Sequence, residues 1–105
     1  MRGDVFRLRA PKDARGNEQR GARYAVIVQS DWIDLSTVQV APTSTSARPS
    51  RLRPQVELDG QLTHVMVDQA GAVSPARLGA FAGRLSPPDM AEVDRALADI
   101  FGLKR

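Results

Sequence analysis

Residues Gly16-Asn17-Glu18-Gln19-Arg20-Gly21-Ala22 form a polar stretch bounded by glycines, and it runs through Arg23 straight into the apolar Tyr24-Ala25-Val26-Ile27-Val28. A loop that shapes itself around a ligand, backed by a cation where rigid backbone begins, suits a phosphate-bearing substrate. Arg23 is the natural electrostatic stabiliser of such a site. Glu18 stands close enough in sequence to take a proton or to hold Arg23 in place. A hydroxyl from the Thr43-Ser44-Thr45 tract offers a second donor, and Gln19 and Arg20 offer substrate contacts. Arg48, Arg51 and Arg53 supply further positive charge for RNA or for a partner.

Other chemistries lack their residues. A zinc site needs several Cys or His at suitable spacing, and this chain has one His and no Cys. A serine triad would have to use His64, without a Gly-x-Ser-x-Gly elbow. Walker and GxGxxG loops are missing. The expectation is therefore a reaction with no cofactor. Transesterification of RNA meets that condition, because the substrate carries its own 2′-hydroxyl nucleophile. The protein has to align it, neutralise the phosphoryl charge and assist the leaving oxygen. His64 itself reads as a mid-strand, half-buried or surface residue, and Trp32 as a core or interface anchor.

Charge distribution agrees with a polyanion partner. Residues 1–53 hold ten Lys/Arg against five Asp/Glu, and residues 54–105 hold five against seven. Arginine outnumbers lysine 13 to 2. That bias suits bidentate phosphate recognition and equally reflects a GC-rich genome.

The elements that must position these groups follow from periodicity. A length of 105 residues fits one domain, 1–105. Asp4 to Arg9 alternates as a first strand, and Tyr24 to Gln29 is an apolar, β-branched central strand. Ser30-Asp31 is expected to cap a helical turn through Leu35. Thr37 to Ala41 reads as a third strand stopped by Pro42. Asp59-Gly60 is a type I′ turn signal that pairs Leu58 with Gln61 and Val56 with Thr63. Val56, Leu58, Thr63, Val65 and Val67 then share one face, with His64, Met66 and Asp68 on the other. Pro75 to Leu78 suits one helical turn, and Phe81 to Leu85 a last strand. The clearest helix has Ser86 as cap, Pro87 first, Asp89 third, and Gly102 as stop. Its apolar stripe is Met90, Val93, Leu97, Ile100 and Phe101. The expected architecture is mainly β with a C-terminal helix: a small, strongly bent antiparallel sheet or open barrel. No apolar run suits a membrane span, no apolar h-region opens the chain, and the cytoplasm is the expected location.

Taken in order, these segments resemble the MazF/PemK family of toxin–antitoxin endoribonucleases over nearly the whole chain. Arg2-Gly3-Asp4-Val5-Phe6 is similar to the family's opening strand. Gly16-Asn17-Glu18-Gln19 followed by Arg23 is similar to its Gly-Ser-Glu-Gln…Arg-Pro motif. Val40-Ala41-Pro42-Thr43-Ser44 resembles its Val-x-Pro-x-Thr/Ser segment, and Val67-Asp68-Gln69 loosely matches its Glu-Gln step. Arg77-Leu78-Gly79 and Gly83-Arg84-Leu85-Ser86 complete the order. The resemblance implies an SH3-like open antiparallel barrel of the CcdB/MazF type, a homodimer, and metal-free cleavage of single-stranded RNA at short sequences. It also implies neutralisation by a small MazE-like antitoxin with an acidic tail. Catalysis falls on Arg23 and Ser44, with Glu18 in support. Substrate contact falls on Gln19, Arg20, Thr43, Thr45, Arg48, Arg51, Arg53 and Gln69. Three positions depart from the pattern: Tyr24 replaces the usual Pro, Ser44 the commoner Thr, and Gly71 an Arg that many members carry. Two further readings share the fold: a non-enzymatic CcdB-like gyrase-binding toxin, and a degenerate partner that only binds antitoxin.

Overall fold

The structure is a computed structural model, and it describes residues 1–9 and 23–103. Seven strands and one α-helix make up the described residues: β1 Asp4–Leu8, β2 Tyr24–Ile27, β3 Val38–Ser44, β4 Gln55–Leu58, β5 Gln61–Val65, β6 Gly71–Val73, β7 Leu78–Arg84 and α1 Pro87–Phe101. Two 3-10 turns, Val67–Gln69 and Pro75–Arg77, flank β6. All pairings are antiparallel, in the order β4-β5-β3-β2-β1-β7, with β6 paired to β3.

β3 is where the sheet divides. One edge pairs with β2 along Val40 to Pro42. The other pairs with β6 at Val38 to Val40 and with β5 at Thr43 and Ser44. Pro42 therefore does not stop the strand, contrary to the sequence expectation. Its carbonyl accepts from the Met66 amide at 2.8 Å. The N–H that proline lacks would have faced the Met66 carbonyl. That carbonyl takes the Gln69 amide instead, at 2.9 Å, and the exchange opens the 3-10 turn that ends β5 at Val65.

The hairpin forms as its turn chemistry dictates. Asp59 and Gly60 both have positive φ, 54° and 77°, and Leu58 pairs with Gln61 and Val56 with Thr63. Val56, Leu58, Thr63, Val65 and Val67 are all buried. Met66, placed on the opposite face by alternation, is buried too. Ser30 to Leu35 forms turns, not a helix: the Ser30 hydroxyl accepts from the Trp32 amide at 3.1 Å and its carbonyl from Ile33 at 3.3 Å. β6 has no sequence signal of its own, being three residues long. β7 starts at Leu78, earlier than alternation indicates, and register shifts after Val5 and Phe6 bend it around β1.

α1 is capped as read. The Ser86 hydroxyl accepts from the Asp89 amide, and Gly102 closes the helix in the left-handed region at φ 66°. Val93 and Ala96 are fully buried, with Met90 and Leu97 packed beside them, against Val5, Tyr24, Val26, Ala41, Val56, Leu58, Val65 and Val67. A buried valine contributes on the order of 1.5–3 kcal/mol. Ile100 and Phe101 do not join this core; both are exposed. Arg2 ties the helix down, reaching Asp94 at 2.6 Å and the Val28 carbonyl at 2.9 Å. No helix among the described residues is long and apolar enough to cross a membrane.

Candidate functional site

The sheet has two faces, and α1 covers one. On the other, Ala25, Ile27 and Val40 form a smaller cluster with Phe6, Leu8, Val38, Val73 and Leu78. Strand alternation puts Arg23 in line with Ala25 and Ile27, and Ser44 in line with Val38, Val40 and Pro42. The β2–β3 register pairs Ala25 with Pro42; two residues on, it sets Arg23 across from Ser44. Alternation from the Val28–Gln39 backbone bond makes this a non-hydrogen-bonded position, where paired residues typically have Cβ atoms about 4.5–5.5 Å apart.

Between them the Tyr24 amide donates to the Thr43 hydroxyl at 3.3 Å. Tyr24 points the other way, into the main core, with its hydroxyl 3.4 Å from Asp59 and Arg7 stacked 5.5 Å over its ring. Thr43 is 2% exposed, so its hydroxyl serves the backbone. This corrects the expectation that Thr43 contacts substrate. Ser44 is half-exposed, and its hydroxyl accepts from the Ser46 amide and meets the Ser46 hydroxyl, both at 3.2 Å. That turn orients the oxygen at the strand end.

A groove of about 220 Å³ opens beside Arg23, lined by Leu8, Val40, Pro42, Gln69, Ala72 and Arg77 among others. Arg77 entered the sequence reading only within the Arg77-Leu78-Gly79 segment, with no substrate contact assigned to it. Its Nε donates to the Arg9 carbonyl at 2.9 Å, and the 3-10 turn behind it places the guanidinium on the groove. Two arginines and no carboxylate thus line this groove among the described residues. No short-range signal could have found Arg77, which reaches the groove only through the pairing of β7 with β1.

The chain matches, over residues 1–101, the family described as PemK-like, MazF-like toxin of type II toxin-antitoxin system. It belongs to the PemK/MazF toxin family. The Mycobacterium tuberculosis protein Rv3098A is 39% identical over 104 residues, covering 98% of either chain. The solved Mycobacterium tuberculosis toxin MazF-mt6 has the same fold, with a TM-score of 0.77 at 20% identity over 97% of this chain and 99% of that one. An endoribonuclease in complex with its cognate antitoxin, from a mycobacterial species, superposes with a TM-score of 0.78 at 21% identity, over 100% of this chain and 97% of that one.

The other expected contacts of this PemK/MazF toxin are scattered. Gln69 is exposed and borders the groove. Thr45 and Arg48 are exposed past the end of β3. Arg53 grips Asp68 with two bonds, 3.1 and 2.9 Å; the paired guanidinium holds that carboxyl below its ordinary range, and the carboxylate holds the guanidinium above its own. Arg51 pairs with Asp99 of α1 at 2.9 Å, and its carbonyl receives Arg95 at 2.8 Å. Both arginines pin the loop between β3 and β4, which accounts for the charge run without any ligand. Glu18, Gln19 and Arg20 lie outside the described residues, as do Lys104 and Arg105. Trp32, expected in a core or interface, is 96% exposed.

Proposed function

We propose that this chain is a sequence-specific endoribonuclease toxin that cleaves single-stranded RNA by metal-independent transesterification. The observation that carries this reading is a groove lined by Arg23 and a second arginine, with Ser44 set across from Arg23 when the β2–β3 register is continued past Ala25–Pro42. Arg23 stabilises the pentacoordinate phosphoryl charge; a guanidinium keeps its proton at neutral pH, so electrostatics is its main contribution. Ser44 donates to a phosphate oxygen, and Glu18 orients Arg23 or the RNA. The 2′-oxygen bonds to phosphorus, the P–O5′ bond breaks, and the products are a 2′,3′-cyclic phosphate and a 5′-hydroxyl. Arg77 and Gln69 contact the strand on either side, and Thr45 and Arg48 extend the path. Arg77 supplies positive charge on the side of the groove where Gly71 carries no side chain.

A MazE-like antitoxin with an acidic tail is the matching inhibitor, since the groove that attracts phosphate attracts carboxylate as well. The working form is a homodimer. Its support is the set of apolar side chains left uncovered on one copy: Trp32, Ile33, Phe101 and Leu103, the last three bordering a cavity of about 470 Å³.

The test is incubation of purified protein with mixed-sequence single-stranded RNA in EDTA, beside an Arg23→Ala variant. Cutting by the wild type and its loss in the variant supports the reading. An intact substrate at high enzyme concentration overturns it and leaves the gyrase-binding or antitoxin-binding alternatives.

A further inference from the structure

His64 pairs with Ser44 on the edge of β3 away from Arg23. Directly paired residues share a face, so His64 lies on the face of Ser44, and the β2–β3 register continued two residues past Ala25–Pro42 brings Arg23 into the same row. Neighbours in such a row have Cβ atoms about 5 Å apart, a spacing that one phosphodiester group bridges. The imidazole is also asymmetric. Its Nδ1 is buried and has no hydrogen-bond partner among the described residues, whereas the residue as a whole is half-exposed.

That asymmetry fixes the neutral ring's tautomer. An orphaned buried N–H is harder to accommodate than an orphaned lone pair. The neutral ring therefore keeps the lone pair on Nδ1 and carries its proton on Nε2. This makes His64 a hydrogen-bond donor at its outer nitrogen.

We propose that His64 is a substrate-contacting residue, whose Nε2–H donates to a non-bridging phosphate oxygen of the RNA strand lying along the Arg23–Ser44 row. The inference rests on the nuclease reading above and adds a contact to that site. No bond is made or broken at His64; its contribution is to binding, expressed equally in the ground state and the transition state.

The test compares His64→Ala, His64→Gln and His64→Asn with the wild type in steady-state cleavage, after thermal melts establish that each is folded. Glutamine extends an amide N–H towards the Nε2 position; asparagine reaches only as far as Nδ1. The expected result is a KM raised about tenfold to a hundredfold in the Ala and Asn variants, with kcat little changed, as for a lost hydrogen bond to a charged group. The Gln variant should recover most of that loss. Binding of a non-cleavable 2′-O-methyl RNA, followed by fluorescence anisotropy, should weaken in the same order. Unchanged KM and binding in His64→Ala, a Gln variant as poor as Ala, or a loss confined to kcat would each overturn the proposal while the wild type still cuts. A wild type that neither cuts nor binds RNA overturns the nuclease reading, and this contact with it.

Discussion

The Tyr24 amide donates to the Thr43 hydroxyl, 3.3 Å away, inside the ladder that joins β2 to β3. A proline at position 24 would have no N–H to place. With tyrosine there, the donor is buried and needs an acceptor, and the neighbouring strand supplies one from a side chain. The contact lies one residue from both Arg23 and Ser44, so it holds the spacing of the pair.

Thr43→Val should therefore cost about 1–3 kcal/mol, the cost of an unpaired buried donor, although volume is conserved. Thr43→Ser should recover much of it. Chemical denaturation of the three proteins measures the difference, and RNA cleavage by Thr43→Val should fall because Arg23 loses its fixed distance from Ser44.

Removal of the two chemical groups themselves should act on turnover rather than on folding. Arg23→Ala is expected to lower kcat by about a hundredfold to a thousandfold, the range for loss of a preorganised charge-stabilising donor. Ser44→Ala should fall in the same direction, and Ser44→Thr should keep activity, since the hydroxyl is retained with a stiffer χ1. Melting temperatures of all three should stay near the wild type, because both positions are only half-buried.

Acid should loosen the fold through two carboxylates. Burial pushes the Asp4 carboxyl up, but bonds from Arg84 and the N-terminal ammonium outweigh that and hold it below its ordinary 3.8. The Arg53 guanidinium holds Asp68 below the same value. Both folded-state values lie below the unfolded ones. Their stabilisation is thus complete above about pH 3.8 and fades as pH falls through the folded values. Asp68→Asn and Asp4→Asn should each flatten the acid limb of a melting-temperature profile and each lower stability at neutral pH, where both ion pairs are intact.

Gly60→Ala should destabilise by about 1–2 kcal/mol, the cost of a side chain in the left-handed region. No atom lies within 4 Å of the new Cβ, so the penalty is purely conformational at φ 77°. Equilibrium unfolding measures it, and Asp59→Gly in the same hairpin should go the other way, since Asp59 also has positive φ.

How much of this was legible in the residues depends on the range of the interaction. The Asp59-Gly60 turn, its register, the buried face of Val56, Leu58, Thr63 and Val65, and both caps of α1 were all readable. Each is decided within a few residues by φ preference, alternation or a hydroxyl at a helix start. Pro42 was misread because its rule concerns a missing N–H, and whether that N–H is missed depends on a carbonyl at Met66. Alternation stops applying at Met66, because β5 ends at Val65. Ile100 and Phe101 continue the helical stripe of Val93 and Leu97 yet stay exposed, because periodicity tells which face of a helix is apolar and not how far along it a neighbour packs.

The sequence by itself determined the hairpin, most of the strands and the C-terminal helix, the chain's family, and the two groups, Arg23 and Ser44, on which the proposed chemistry rests. Only the tertiary structure decided what stands beside them. It turned Thr43 inward, engaged Arg51 and Arg53 in ion pairs, paired His64 with Ser44 and brought Arg77 to the groove beside Arg23, from 41 and 54 residues beyond Arg23. The physical reason is that strand pairing joins residues across the sheet with no regard to their separation along the chain. A period of two tells which face a residue takes, and only the register tells what it meets there.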